Sequence, residues 1–432
     1  MTIFFDYDYL CFFIRFPVSK CPEEEALQKC FDQNYIKGPV YFRDNYSSYS
    51  KDLDVEYNRR IIYFPTAFVH PIDVIDVQKA IKCAAKLKYP IVARSGGHSY
   101  EGFGIGDKDC YLVVELANLN KIIIDVNSQT AVVGPGNRLE PIYNKTSEHM
   151  FAFPAGTCPW VGVGGLITGG VSITRNLLYM IVLAKYTLVI WQLFLANGTV
   201  VHSAKKHPEI FWAIRGAGNA GYGIVTAFTL KIHPIQKITT VIYLLYDFDQ
   251  APLLLSVMIK LGSNIHPNIT SLIRIAPEYL KFVKLSKPKN ITYTENILYH
   301  ALVDGMEGTE VKGYYKTKSF FIDFKGLSDE GIKSLMNFLK RFKCEINSNS
   351  AVNSENSEMC LQEFDDFSQE FRRNYACYES YQNLNDRQLD DWQCRYYAEN
   401  FERLVKLKQK YDPYNLFHWN QSIPTHTKIS CN

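Results

Sequence analysis

The stretch Arg94-Ser95-Gly96-Gly97-His98-Ser99-Tyr100 directly follows the apolar run Tyr89-Pro90-Ile91-Val92-Ala93. An apolar run that empties into Ser-Gly-Gly is predicted to be a buried strand ending in an anion-binding loop. Without Cβ atoms in the way, successive backbone N–H groups can converge on a ligand. A second loop follows about sixty residues on. It reads Pro154-Ala155-Gly156-Thr157-Cys158-Pro159 and runs into Val161-Gly162-Val163-Gly164-Gly165-Leu166-Ile167-Thr168-Gly169-Gly170. Each loop offers one nucleophilic side chain, His98 and Cys158. A lone Gly-Gly-His also describes a tight turn beside a surface histidine, so the pair is the specific feature.

Outward from these loops the chain reads as alternating helices and strands. Val74, Val77, Ile81 and Ala84 recur at helical spacing and predict an amphipathic helix over Val74–Leu87. Strands are expected over 60–65, 111–116 and 121–126, and a helix over 139–149. Ala131-Val132-Val133-Gly134-Pro135-Gly136 gives a third glycine turn. Pro208-Glu209-Ile210-Phe211-Trp212 leads to a fourth, Gly221-Tyr222-Gly223-Ile224-Val225-Thr226, whose glycines permit close approach of backbone to a ligand. Residues 171–192 are apolar enough to raise a membrane span, but Lys185 sits centrally and both flanks read as one soluble domain. Beyond 236, strand-like (240–246) and helical (329–341) runs suggest a second domain, and 345–359, rich in Asn and Ser, reads as a loop.

At 432 residues the chain can bury a large core and divide into two domains. A net charge of +3 is too small to imply nucleic acid or an acidic membrane surface as partner. The 29 Tyr and 27 Phe suit a cleft with stacking walls and an aromatic core equally. The eleven cysteines contain no C-x-x-C pair, so no zinc-ligand spacing stands out. Six N-x-[ST] sequons, at Asn45, Asn144, Asn197, Asn268, Asn290 and Asn420, are compatible with secretion. The first sixteen residues point the other way: Asp6 and Asp8 precede any apolar run, which is a poor secretory leader.

The two loops, the glycine turns and the C-terminal part together resemble the berberine-bridge-enzyme-like branch of the FAD-linked oxidases, the vanillyl-alcohol-oxidase or PCMH-type fold. The C-terminal part carries Tyr381-Gln382-Asn383, Lys410-Tyr411-Asp412-Pro413-Tyr414-Asn415-Leu416-Phe417 and Asn420-Gln421-Ser422-Ile423-Pro424. The resemblance implies an α+β protein with an FAD-binding PCMH-type domain over 20–235. A shortened substrate domain with an antiparallel sheet follows over 236–375, then a module over 376–424 that returns to the FAD domain. Residues 171–192 are the main departure from the family pattern.

The same resemblance implies FAD as cofactor, attached covalently through His98 and Cys158. The implied FAD-binding set is Arg94, Ser95, Gly96, Gly97, His98, Ser99, Tyr100, Gly134, Gly156, Thr157, Cys158, Gly162, Val163, Gly164, Gly165, Gly170, Gly223, Ile224, Val225, Asn415 and Gln421. Tyr381 matches a family tyrosine proposed to help take the substrate hydroxyl proton, with nearby Tyr378 as an alternative. A small Val163 resembles the pattern of family members that use O2. A disulfide between Cys30 and Cys83 is implied, as is secretion. The reaction expected is oxidation of a small-molecule alcohol or carbohydrate hydroxyl, with O2 as acceptor and H2O2 formed. The rivals are a dehydrogenase or C–C-forming relative, and a catalytically silent descendant that only binds.

Overall fold

The structure, a computed structural model, describes residues 20–156, 158–170, 188–202, 205–217, 221–235, 239–244, 246, 248–262, 291–297, 312, 316, 318–319, 327–342, 354–376 and 379–431. Among them, two sheets and the helices on them build the half expected to bind FAD. Strands β1 (Val40–Phe42), β2 (Ala67–Val69), β3 (Ile91–Arg94) and β4 (Leu112–Glu115) form one sheet in the order β1-β2-β4-β3. Strands β2, β4 and β3 run parallel, and β1 pairs antiparallel at the edge. Every residue of β2 and β4 is buried, as expected of parallel strands covered on both faces.

Helices α1 (Glu24–Gln33), α2 (Tyr46–Leu53) and α3 (Val74–Leu87) pack around this sheet. The side chain of Asp73 caps α3 by accepting from the N–H groups of Ile75 and Asp76. Of the predicted apolar face, Val77, Ile81 and Ala84 are fully buried, and Cys83 on α3 is bonded to Cys30 on α1. Cys21–Cys110 and Cys394–Cys431 are also bonded.

The second sheet is antiparallel, ordered β5-β6-β10-β8-β9, from Ile122–Asp125, Thr130–Val133, Ile224–Lys231, Leu188–Phe194 and Val200–Val201 respectively. Along β10, Ile224, Thr226, Phe228 and Leu230 are buried and their neighbours are not fully so, the two-residue period of a strand with one face on the core. Helices α4 (Leu139–Ser147), α5 (Val163–Gly169) and α6 (Pro208–Ala217) contribute to the core beneath. The short pair β7 (Phe151–Ala152) and β11 (His233–Pro234) closes one end.

Beyond it, β12 (Thr239–Leu244) and β13 (Ile291–Ile297) pair antiparallel. Helices α7 (Ala251–Gly262), α8 (Asp329–Arg341) and α9 (Ser354–Tyr375) accompany them, and residues from all three join one separate apolar cluster. The C-terminal helices α10 (Trp392–Tyr397) and α11 (Phe401–Tyr411) pack instead into the core of the FAD half. There Lys408 and Asp412, both fully buried, form an ion pair at 2.7 Å, and Lys408 also donates to the carbonyls of Gly221 and Phe417. A buried pair tolerates removal of neither partner, so it fixes how the C-terminal module seats on the Gly221 turn.

Three local expectations need correction. Residues 60–65 form no strand. Pro65 has no N–H to give a ladder, Phe64 N donates to the Asp109 carboxylate, and the carbonyls of Phe64 and Pro65 accept from Arg43. The strand comes two residues later, at Ala67. Within 345–359 the residues from Ser354 onward are helical, the start of α9. Val74, expected on the buried face of α3, is only partly covered. The apolar 171–187 segment, Thr157, Tyr378, Asn268 and Asn290 lie outside the described residues; the other four sequon asparagines are exposed. No helix among the described residues is long and apolar enough to cross a membrane.

Candidate flavin site

Strand β3 ends at Arg94, and the loop it delivers meets the loop before α5. The two backbones touch: a Cβ on Gly96 would lie 2.5 Å from Gly162 N, and one on Gly162 would lie 2.2 Å from Gly96 N. No other residue fits at either position. Ser95 stitches the contact, its hydroxyl donating to Pro135 O at 2.5 Å and accepting from Gly164 N at 3.2 Å. Val163 N donates to Asn137 O, so the third glycine turn is tied to the same knot.

The outcome is that His98 Nε2 and Cys158 Sγ lie 3.9 Å apart, although sixty residues separate them in sequence. Both side chains are half-buried, and Cys158 is in no disulfide. The imidazole lies flat on the ring of Tyr57, with centroids 3.9 Å apart and planes 17° off parallel. Tyr57 N donates to Gly97 O at 2.8 Å, and Gly97 has a φ of 64°. Tyr100 meets Tyr57 edge-on at 5.8 Å, its carbonyl accepting from Asn58. Ser99 Oγ accepts from Phe103 N.

Arg94 takes a different place from the one expected. Its guanidinium is completely buried and faces away from the loop, toward Glu115, Glu56 (3.3 Å) and Asp52 (3.6 Å). It anchors the root of the loop. Three carboxylates around one guanidinium leave excess negative charge. Burial accordingly pushes the Glu56 carboxyl up to about 7, against the pull of Arg94.

The other predicted positions divide. Gly156 O accepts the Tyr143 hydroxyl, and Gly164 and Gly165 lie in the first turn of α5. Gly170 ends that helix with a φ of 93°, and a Cβ there would meet none of the described residues within 4 Å. Gly134 and Gly223 are needed for chain packing, since a Cβ would come within 2.0 Å of Leu119 O and 2.3 Å of Phe194 O. Ile224 is buried in β10 and Val225 is half-buried beside it. Asn415 has a φ of 52°, and its carbonyl accepts from His418 Nδ1 at 2.7 Å. Gln421 is buried and donates to Asp386 O at 2.7 Å. Both retain a buried side-chain carbonyl oxygen with no hydrogen-bond partner, Asn415 Oδ1 and Gln421 Oε1. Val163 is fully buried in the core, whereas Val161, two residues earlier, is half-buried.

Tyr381 arrives from the far end of the chain. Its hydroxyl donates to Gly170 O at 2.6 Å and accepts from Asn383 Nδ2 at 3.0 Å. A candidate proton acceptor thus sits at the C-terminal end of α5, while the two nucleophiles sit at its start. Sequence reading missed Tyr57, which no motif marks, and Gln382 and Asn383, which stood inside a motif that was noted for its tyrosine alone.

The residues fit a flavin. Two nucleophiles converge beside loops whose glycines allow close approach. The FAD binding domain family matches residues 65–204, and the berberine and berberine-like family matches 380–424. The monolignol oxidoreductase AtBBE-like 13 of Arabidopsis thaliana is 26% identical over 84% of this chain and 84% of its own length. A xylooligosaccharide oxidase of Thermothelomyces thermophilus is 37% identical, over 48% of this chain and 40% of its own. Among solved structures, the BBE-like 1 protein of Physcomitrella patens superimposes with a TM-score of 0.77 at 28% identity, covering 93% of this chain and 99% of that one. Two family matches in chain order, a relative aligned over most of both lengths and a shared fold agree: the chain is similar throughout to the berberine-bridge-enzyme-like FAD-linked oxidoreductases.

Proposed function

We propose that this protein binds FAD covalently through His98 and Cys158 and oxidises the hydroxyl of a small alcohol or carbohydrate, passing the electrons to O2. The observation that carries the reading is the 3.9 Å approach of His98 Nε2 to Cys158 Sγ, two nucleophiles from loops held together by the Gly96–Gly162 contact. A flavin held there supplies the hydride acceptor. The protein's share is to orient it, keep water away and manage the substrate proton.

Tyr381 is the candidate for that last task. Its hydroxyl now donates to Gly170 O and must turn from that carbonyl to reach a substrate. Asn383, donating to the phenol oxygen, supports the negative charge that would develop there. Secretion is part of the same reading, supported by three disulfides and four exposed sequon asparagines among the described residues.

Relatives named as a xylooligosaccharide oxidase and a monolignol oxidoreductase define the substrate panel. Mix the purified flavoprotein anaerobically with xylo-oligosaccharides and with monolignols, and follow bleaching of the flavin band. Reduction by one class, followed by H2O2 on admitting air, supports the proposal. A yellow protein that no alcohol or sugar reduces would sink it.

A further inference from the structure

Helix α5 is a weak helix in a demanding place. It has seven residues, three of them glycine, too short and too flexible to persist without tertiary support. Its first turn is locked to the nucleophile loops through Gly162 on Gly96 and Gly164 N on Ser95 Oγ. The last carbonyls of any helix have no N–H partner within it.

In α5 those carbonyls are taken by three consecutive side chains more than two hundred residues downstream. The Tyr381 hydroxyl donates to Gly170 O, Gln382 Nε2 to Gly169 O, and Asn383 Nδ2 to Leu166 O and Gly170 O. Gln382 is the buried member of the three. Its orientation is fixed from behind, because the Tyr397 hydroxyl donates to Gln382 Oε1 at 3.0 Å. Tyr397 lies in the core of the C-terminal module, where burial pushes its ionisation far upward and keeps the hydroxyl a donor. A flipped Gln382 amide would set oxygen against the Gly169 carbonyl and nitrogen against that hydroxyl donor. Only one orientation serves both neighbours.

We infer that Gln382 is a positioning residue for the flavin site: held by Tyr397, it pins α5 through Gly169, and α5 pins the His98 and Cys158 loops. The C-terminal module thereby sets the flavin's surroundings through a helix rather than by touching the two nucleophiles. This rests on the reading that flavin lies against those loops.

The test uses full-length holoprotein as wild type, Gln382→Leu, Tyr397→Phe and the double variant. Ser368→Ala is the control; it loses a buried hydroxyl-to-carbonyl bond, Ser368 Oγ to Phe364 O, in α9. Three properties are read: the shape of the flavin's visible bands, its midpoint potential, and the fraction of flavin that survives acid. Gln382→Leu and Tyr397→Phe should each change the bands, shift the potential and lower the retained fraction. The double variant should do no more than Gln382→Leu alone, because both act on one strut. Ser368→Ala should lower only the melting temperature. Wild-type bands and potential in Gln382→Leu, or additive effects in the double variant, overturn the inference. Should Gln382→Leu fail to fold, Tyr397→Phe, which removes one oxygen, carries the same test. Complete release of flavin by acid from the wild type would defeat the covalent reading, while bands and potential would still decide on the strut.

Discussion

The imidazole of His98 lies face to face on the phenol ring of Tyr57, 3.9 Å between centroids and 17° from parallel. The stack sets the plane in which a ring nitrogen can meet an electrophile, and the Tyr57 N–H holds the loop carbonyl of Gly97. Contacts of this kind contribute about 1 kcal/mol beyond the area they bury. Tyr57→Leu should therefore leave the protein folded and reduce the share of flavin attached at His98, with attachment at Cys158 retained. Peptide mass mapping reads this directly; undiminished attachment at His98 would mean the stack is incidental.

A pH dependence follows from Glu56. Burial, the larger effect, raises its carboxyl to about 7 from an ordinary value of 4.5, with Arg94 opposing. A carboxyl whose folded-state value lies above its unfolded one favours folding while protonated. That contribution is fully present below the unfolded value and is lost as pH rises through the folded one. The groups facing it are Arg94, Glu115, Asp52 and Lys312, and His70 bonds Asp52 from the other side. Glu56→Gln keeps the shape and cannot ionise. Melting curves should show the variant a few degrees more stable than wild type at pH 8 and no more stable at pH 5. Parallel pH profiles would contradict this.

The two glycine loops, the helix α3 and the strand β3 leading to the first loop were legible in the sequence, because apolar period and glycine placement report on local geometry. The Cys30–Cys83 bond followed from resemblance alone and is present. Arg94 was misread, because sequence adjacency to Ser95 says nothing of the direction of its side chain. The acids that claim it come from α2 (Asp52), the loop after it (Glu56) and β4 (Glu115). The clamp on α5 was equally invisible: Gln382 meets Gly169 across 213 positions, and no period or motif reports such a contact. The strand expected at 60–65 failed because Pro65 and the Arg43 side chain outcompete pairing there.

Reaction with O2 should respond to Val161 and not to Val163. Val163 is sealed in the core, so Val163→Leu should overpack it at a cost of about 1–3 kcal/mol. Val161 is only half-buried, at the edge of the same core. Val161→Leu should slow reoxidation of the chemically reduced flavin in air-saturated buffer while leaving its melting temperature near wild type. Stopped-flow reoxidation and thermal melts separate the two; slowing in Val163→Leu alone would reverse the assignment.

The most direct measurement is peptide mass mapping of the native holoprotein after acid precipitation. One species should contain the His98 peptide and the Cys158 peptide joined through a single flavin, and the supernatant should be colourless. His98→Ala should leave the flavin on the Cys158 peptide alone, and His98→Ala with Cys158→Ala should release all of it. Recovery of both wild-type peptides unmodified, with the flavin free in the supernatant, would contradict the claim that the 3.9 Å meeting of His98 and Cys158 exists to hold the cofactor.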